Sequence, residues 1–257
     1  MSAAWEDLRT RVFSAVVMVI LGAVAIWVGG PVFTTLAALV AGIILWEVAL
    51  MTRVSKTTAY ALGGVGIVSV LAAKQLGAPL DLGILLLPSA LGLIVSEKPG
   101  LYAVFAAEVV LGSYALSAVM DLGGVVWVLF ILAIVAASDT LGYFAGRTFG
   151  GPKLWPLVSP KKTWSGTVAG WLGAILVGVG FALYTGVAMP TLIAIALILS
   201  VAGQAGDIAE SALKRICGVK DSSALIPGHG GFFDRFDALL GACVVVWVII
   251  SFGSPWW

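Results

Sequence analysis

Between Lys220 and Asp237 the chain reads KDSSALIPGHGGFFDRFD, which gathers three aspartates, a lysine, an arginine and the only histidine into eighteen residues. Carboxylates at that density suit a hard divalent cation such as magnesium, which takes oxygen ligands and leaves room for phosphate oxygens. The lysine and arginine suit the phosphates themselves. Just upstream, GQAGDIAESALKR sets Asp207, Glu210, Ser211 and Lys214 at offsets of three, four and seven, which share one helical face. That face runs from carboxylate through hydroxyl to ammonium, so it can hold a cation at one end and a phosphate at the other. A salt-bridge set that only fixes helix packing is the competing reading of the same residues.

The elements that must position these groups are membrane spans. Of the 257 residues 61% are hydrophobic and only 11% charged, against about 45–50% and about 25% in soluble domains. Mean hydropathy is +1.11. Nine segments are apolar enough to count as spans: Val12–Val28, Val32–Met51, Thr58–Leu76, Leu80–Val95, Leu101–Met120, Gly123–Phe144, Thr167–Thr185, Thr191–Leu213 and Phe236–Phe252. The expected fold is an all-α polytopic integral membrane protein, one domain over 1–257. Residues 1–120 supply N-terminal helices, and 121–257 supply the chemistry-bearing helices and two longer cytoplasmic connectors. The first span is expected to be retained rather than cleaved as a leader.

Lysine and arginine set the orientation. With the N-terminus cytoplasmic, thirteen of the 14 basic residues fall on the cytoplasmic side and only Lys74 on the other. Asp139 and Asp207 then lie roughly 8–9 Å below the inner ends of the sixth and eighth spans. Asp234 and Asp237 sit where the ninth span enters from that side. Four carboxylates from three helices can thus converge on one patch, and charged groups inside a span mark a site by default.

The connectors add cations. SPKKTWSGT carries Lys161 and Lys162 and ends at a helix start that Ser165 or Thr167 can cap, a ready anion site. A plain anchor to anionic lipid is the alternative for the lysines. His229, between Gly228 and Gly230, suits positioning or phosphate contact better than proton transfer. Glu47 and Glu108, two further intramembrane acids, read either as site members or as hydrogen-bonded packing residues. Trp256 and Trp257 read as interfacial anchors.

From Ser211 to Asp237, SALKRICGVKDSSALIPGHGGFFDRFD resembles the signature of the phosphatidate cytidylyltransferase family, also called CDP-diacylglycerol synthases. SDTLGYFAGRTFGG and SPKKTWSG are similar to other marked blocks of that family, so the resemblance covers roughly Ser138 to Ala238. Ser165 stands where the family usually has Glu or Gln; Ser223 and Ala238 depart at two further places.

The resemblance implies an inner-membrane enzyme that makes CDP-diacylglycerol and pyrophosphate from CTP and phosphatidic acid at the cytoplasmic face. It implies magnesium and, in some members, a second cation such as K+. Homodimers are common among its bacterial members. Membrane lipids are partners, and no nucleic acid is expected. Asp207, Asp234, Asp237, Lys214 and Lys220 would be catalytic, with Asp207, Asp237, Asp234 and Asp139 toward the metal. Lys161, Lys162, Thr163, Ser211, Arg215, Asp221, His229, Gly230, Gly231 and Arg235 would bind substrate. An ion-coupled transporter using Asp139, Asp207 and Glu108 is the rival from another class. It would be expected to show inverted repeats and midplane charges, whereas these charges crowd one face. Another lipid-linked phosphotransferase also fits the metal and the cations.

Overall fold

The computed structural model describes residues 3–76, 80–253 and 255–257. The chain forms α1 (Ala3–Val28), α2 (Gly30–Met51), α3 (Lys56–Ala73), α4 (Leu80–Leu85), α5 (Leu87–Val95), α6 (Pro99–Gly123) and α7 (Val125–Thr148). A two-stranded hairpin follows, β1 (Lys153–Trp155) with β2 (Ser159–Thr163), then α8 (Trp164–Thr185), α9 (Met189–Cys217) and α10 (Phe233–Phe252). Among the described residues eight helices are long and apolar enough to cross a membrane, so this is a polytopic all-α membrane protein.

The expected fourth span, Leu80–Val95, is the exception. It is an apolar segment broken between α4 and α5, with Pro88 in the first turn of α5. Proline has no N–H for the preceding turn and its ring crowds the carbonyl four residues back, so the helix kinks there. Elsewhere local signals and structure agree. Pro31 and Pro190 sit in the first turns of α2 and α9, where a missing N–H costs nothing. Ser55 caps α3 by accepting from the Thr58 N–H at 3.2 Å.

Two apolar clusters divide the interior. One joins α2, α3, α5 and α6, with Leu213, Phe233 and Leu240 added from α9 and α10. The other joins α7, α8, α9 and α10 to the far ends of α2 and α6. The N-terminal and C-terminal halves therefore meet along α2, α6 and α10, and α1 joins the second cluster only through Ala25 and Ile26, with most of its large apolar side chains exposed.

The charge partition has a geometric counterpart. Arg53 pairs with Glu97 at 3.6 Å, and Lys98 Nζ donates to the Ile216 carbonyl at 2.7 Å. These contacts draw the ends of α2, α5 and α9 together at the basic end of the bundle. At the other end Lys74 pairs with Asp121 at 2.6 Å. Trp256 and Trp257 differ from expectation. Trp256 is buried, and both rings pack on Trp127 near the start of α7, the Trp257 ring stacked at 5.6 Å. They close the outer end of the protein core, because neighbouring indoles offer more apolar contact than the bilayer edge.

α9 and α10 approach through two glycines. A Cβ on Gly206 would stand 2.7 Å from the Asp237 carbonyl oxygen and 2.9 Å from Gly241 Cα. Small residues of this kind let helix backbones meet in lipid, and here the meeting sets Asp207 beside Asp237. Gly206→Val is expected to force the helices apart and to cost about 1–3 kcal/mol, the usual range for overpacking. Thermal unfolding in detergent reads this as a lowered midpoint, with Gly180→Val, where a Cβ meets open space, near the wild type.

Candidate active site

Asp207, one residue past the Gly206 contact, accepts an ion pair from Lys162 Nζ at 2.6 Å. Lys162 stands on β2, so the hairpin between α7 and α8 folds back over α9. Asp139 on α7 lies within range of both the Asp207 and Lys162 charges. Asp237 on α10 feels Asp207 first, then Asp139 and Lys214. Three carboxylates from α7, α9 and α10 thus share one electrostatic neighbourhood, with Lys162 on its open side. Asp139 is exposed there, and Asp237 is half-buried.

A second group is closed. Lys214 Nζ sits 2.6 Å from Asp234 Oδ1 and 2.8 Å from Glu210 Oε2, with the Glu210 side chain 1% and the Asp234 side chain 4% exposed. Asp234 Oδ2 accepts from the Gly231 N–H and the Ser222 N–H, each at 2.8 Å, and lies 2.8 Å from Ser222 Oγ, whose single proton it shares with Glu47. Both oxygens of Asp234, expected among the metal ligands, are therefore engaged by protein donors. Glu210 adds a buried carboxylate whose one cation among the described residues is Lys214; Ser211, next to it, is half-buried.

The connector 218–232 is anchored by a residue from the other half of the chain. Glu47, on α2 and 0% exposed, accepts from Ser223 Oγ at 2.6 Å and Ser222 Oγ at 3.1 Å. It also accepts from the Phe232 N–H at 2.9 Å and the Phe233 N–H at 2.8 Å, where α10 begins. No side chain fits at Gly231, because its Cβ would fall on Ser222 Oγ and the Glu47 carboxylate. The sequence left Glu47 between two readings. The signal available was a glutamate near the basic end of its span, but its donors lie at least 175 positions away.

The remaining expected residues fall into two sets. Lys161, Arg215, Lys220, Asp221 and Arg235 are exposed around the connector and hairpin. Arg235 Nε donates to the His229 carbonyl at 3.1 Å. His229 Nδ1 lies 2.9 Å from Ser14 Oγ on α1, and Gly230 O accepts from the Ile226 N–H at 2.8 Å, closing a tight turn. Thr163 is buried and caps α8, its Oγ1 accepting from the Gly166 N–H at 3.2 Å. The cap expected from Ser165 or Thr167 is thus supplied by Thr163, since the helix already starts at Trp164. Ser165 Oγ instead donates to the Gly150 carbonyl, and Thr167 Oγ1 to the Thr163 carbonyl at 3.1 Å. Glu108, on α6, lies within range of the Asp237 charge.

Among the described residues no three His, Cys, Asp or Glu side chains form a ready-made metal cage. Magnesium seldom needs one, since it is bound through one or two carboxylates together with waters and substrate phosphates. Asp207 and Asp237 would supply the hard oxygens for that mode. Among the described residues Asp237 Oδ1 accepts from the adjoining Ala238 N–H alone, at 2.8 Å, and the Lys162 ammonium already places a cation on Asp207. The donor chemistry fits.

Comparison with known proteins agrees with this architecture. The profile of the group described as "Cytidylyltransferase family" matches residues 9–252. A phosphatidate cytidylyltransferase of Brucella abortus biovar 1 (strain 9-941) is 35% identical over 254 residues, covering 95% of this chain and 93% of that protein. A phosphatidate cytidylyltransferase of Bacillus subtilis (strain 168) is 38% identical over 137 residues, 52% of this chain and 51% of its own. One of Staphylococcus saprophyticus is 42% identical over 119 residues, 46% of each chain.

The closed group should carry stability. Lys214→Met leaves Glu210 and Asp234 facing one another without their cation, and removing one partner of a buried pair costs about 3–5 kcal/mol. Arg53→Ala breaks an exposed pair and should cost under about 1 kcal/mol. Thermal unfolding of the two variants in detergent should separate them clearly.

Proposed function

This chain belongs to the cytidylyltransferase family, and from that premise we propose that it joins CTP to phosphatidic acid, giving CDP-diacylglycerol and pyrophosphate. The observation that carries the reading is the Lys162–Asp207 ion pair at the basic end of the bundle, with Asp139 and Asp237, from two further helices, within range of the Asp207 charge. We place that end at the cytoplasmic face of the inner membrane, since basic residues favour the cytoplasmic side. Acyl chains then stay in the bilayer while the nucleotide arrives from water.

In the transfer, an oxygen of the lipid phosphate attacks the α-phosphorus of CTP. The new P–O bond forms as the bond between the α-phosphorus and the oxygen bridging to the β-phosphorus breaks, and pyrophosphate leaves with that oxygen. The attacking oxygen is already an anion, so no strong base is needed. What the protein must supply is alignment and neutralisation of two anions that repel. Asp207 and Asp237, with Asp139 beside them, would hold magnesium, which when bound would neutralise phosphate charge.

The cations of the hairpin and connector do the rest. Lys161 and Lys162 on the hairpin meet the triphosphate from one side, and Arg215 and Lys220 meet it from the connector. Arg235, one residue from Asp234, can hold the lipid phosphate bidentately. Lys214 is fixed in its ion pairs and acts by holding Asp234, and with it the start of α10, in place.

Purified protein given CTP, magnesium and phosphatidic acid should release pyrophosphate and CDP-lipid together. Asp207→Asn and Asp237→Asn should each lower turnover by ~100-fold or more, the scale for removing one electrostatic group from a transition state, while the protein stays folded. A wild type that yields no magnesium-dependent CDP-lipid, or near-normal turnover in folded Asp207→Asn, contradicts the reading.

A further inference from the structure

We propose that Glu47 is a positioning residue for the transfer reaction, a carboxylate from the N-terminal half that sets the connector and the first turn of α10. The inference rests on the activity proposed above. Glu47 is wholly buried, and among the described residues no lysine, arginine or histidine pairs with it. An unpaired charge in such a place is costly unless donors surround it. Its two oxygens are answered by Ser223 Oγ, by two backbone amides, Phe232 N–H and Phe233 N–H, and by a share of the single Ser222 Oγ proton, which also faces Asp234. The amides belong to the start of a helix, where the backbone dipole favours negative charge. Glu47 thus caps α10 from another helix. The N-cap position itself is Phe232, whose side chain cannot do so.

Two routes lead from this clamp to the reacting groups. Along α10, the capped turn carries Asp234 and then Asp237, so loosening it shifts both. Through Ser222, whose hydroxyl also lies 2.8 Å from Asp234 Oδ2, the clamp supports the carboxylate that grips Lys214. The same geometry removes a competing role for the connector. The N–H groups of Ser222, Gly231, Phe232 and Phe233 resemble a nest for a phosphate, but Asp234 and Glu47 already fill it. Substrate phosphates must therefore be met by the exposed cations, and Gly231 serves the clamp.

A glutamate that only fills space would tolerate glutamine. Glutamine keeps the shape but turns one acceptor into a donor that faces other donors. The test is Glu47→Gln in detergent, read by folded yield, by kcat and KM for CTP, and by hydrogen exchange of the peptide covering 218–236. The expected result is a folded protein whose kcat falls about 10–100-fold, the usual cost of losing a supporting hydrogen-bond partner, with KM changed less than kcat and exchange accelerated across that peptide. Wild-type kcat, or wild-type exchange, in folded Glu47→Gln overturns the proposal. If Glu47→Gln does not fold, Ser223→Ala removes a single donor and should show the same two changes on a smaller scale; wild-type values for it also overturn the proposal. A wild-type protein with no transferase activity counts against the reaction itself, and the exchange data distinguish that failure from failure of the clamp.

Discussion

Burying carboxylates in a bilayer protein is the constraint on which this structure turns. Each must be given a cation or a full set of donors, because hydrocarbon offers neither. Asp207 takes Lys162 from the hairpin, Asp234 and Glu210 take Lys214 from their own neighbourhood, and Glu47 takes hydroxyls and amides of the connector. The Lys162–Asp207 pair and the contacts of Glu47 tie together segments far apart in the chain. The acids therefore determine which loops must lie over which helices, as well as supplying chemistry.

The polar groups divide into two kinds. Those around Lys214, Asp234 and Glu47 satisfy one another and form a rigid floor under the connector. Those around Asp139, Asp207 and Asp237 are less fully paired: Asp207 meets Lys162, and Asp237 Oδ1 meets the Ala238 N–H. A closed floor beneath an open centre suits a reaction whose substrates bring most of the charge. Preorganised groups cost no rearrangement at the moment of reaction.

Much of this was legible in the chain. Apolar spans and one-sided lysines and arginines were enough to place Asp139, Asp207 and Asp237 at one end. Helical offsets of three and four put Glu210 and Lys214 on one face, and they do pair. What stayed hidden depended on distant contacts. The donors that saturate Asp234 come from a turn whose shape no local pattern specifies, and the partners of Glu47 lie in the opposite half of the chain. The hairpin carrying Lys162 is too short to show an alternating pattern. The kink at Pro88 was readable, since the proline sits inside an apolar run. Burial of Trp256 was not, because two terminal tryptophans look alike whether they face lipid or protein.

The central claim is that carboxylates from separate helices act as one cation centre. It is tested most directly by titrating the purified protein with Mn2+ in the presence of CTP, following free and bound metal by electron paramagnetic resonance. The account predicts a single tightly bound Mn2+ that is lost in folded Asp207→Asn and in folded Asp237→Asn. Unchanged Mn2+ affinity in both variants would contradict it.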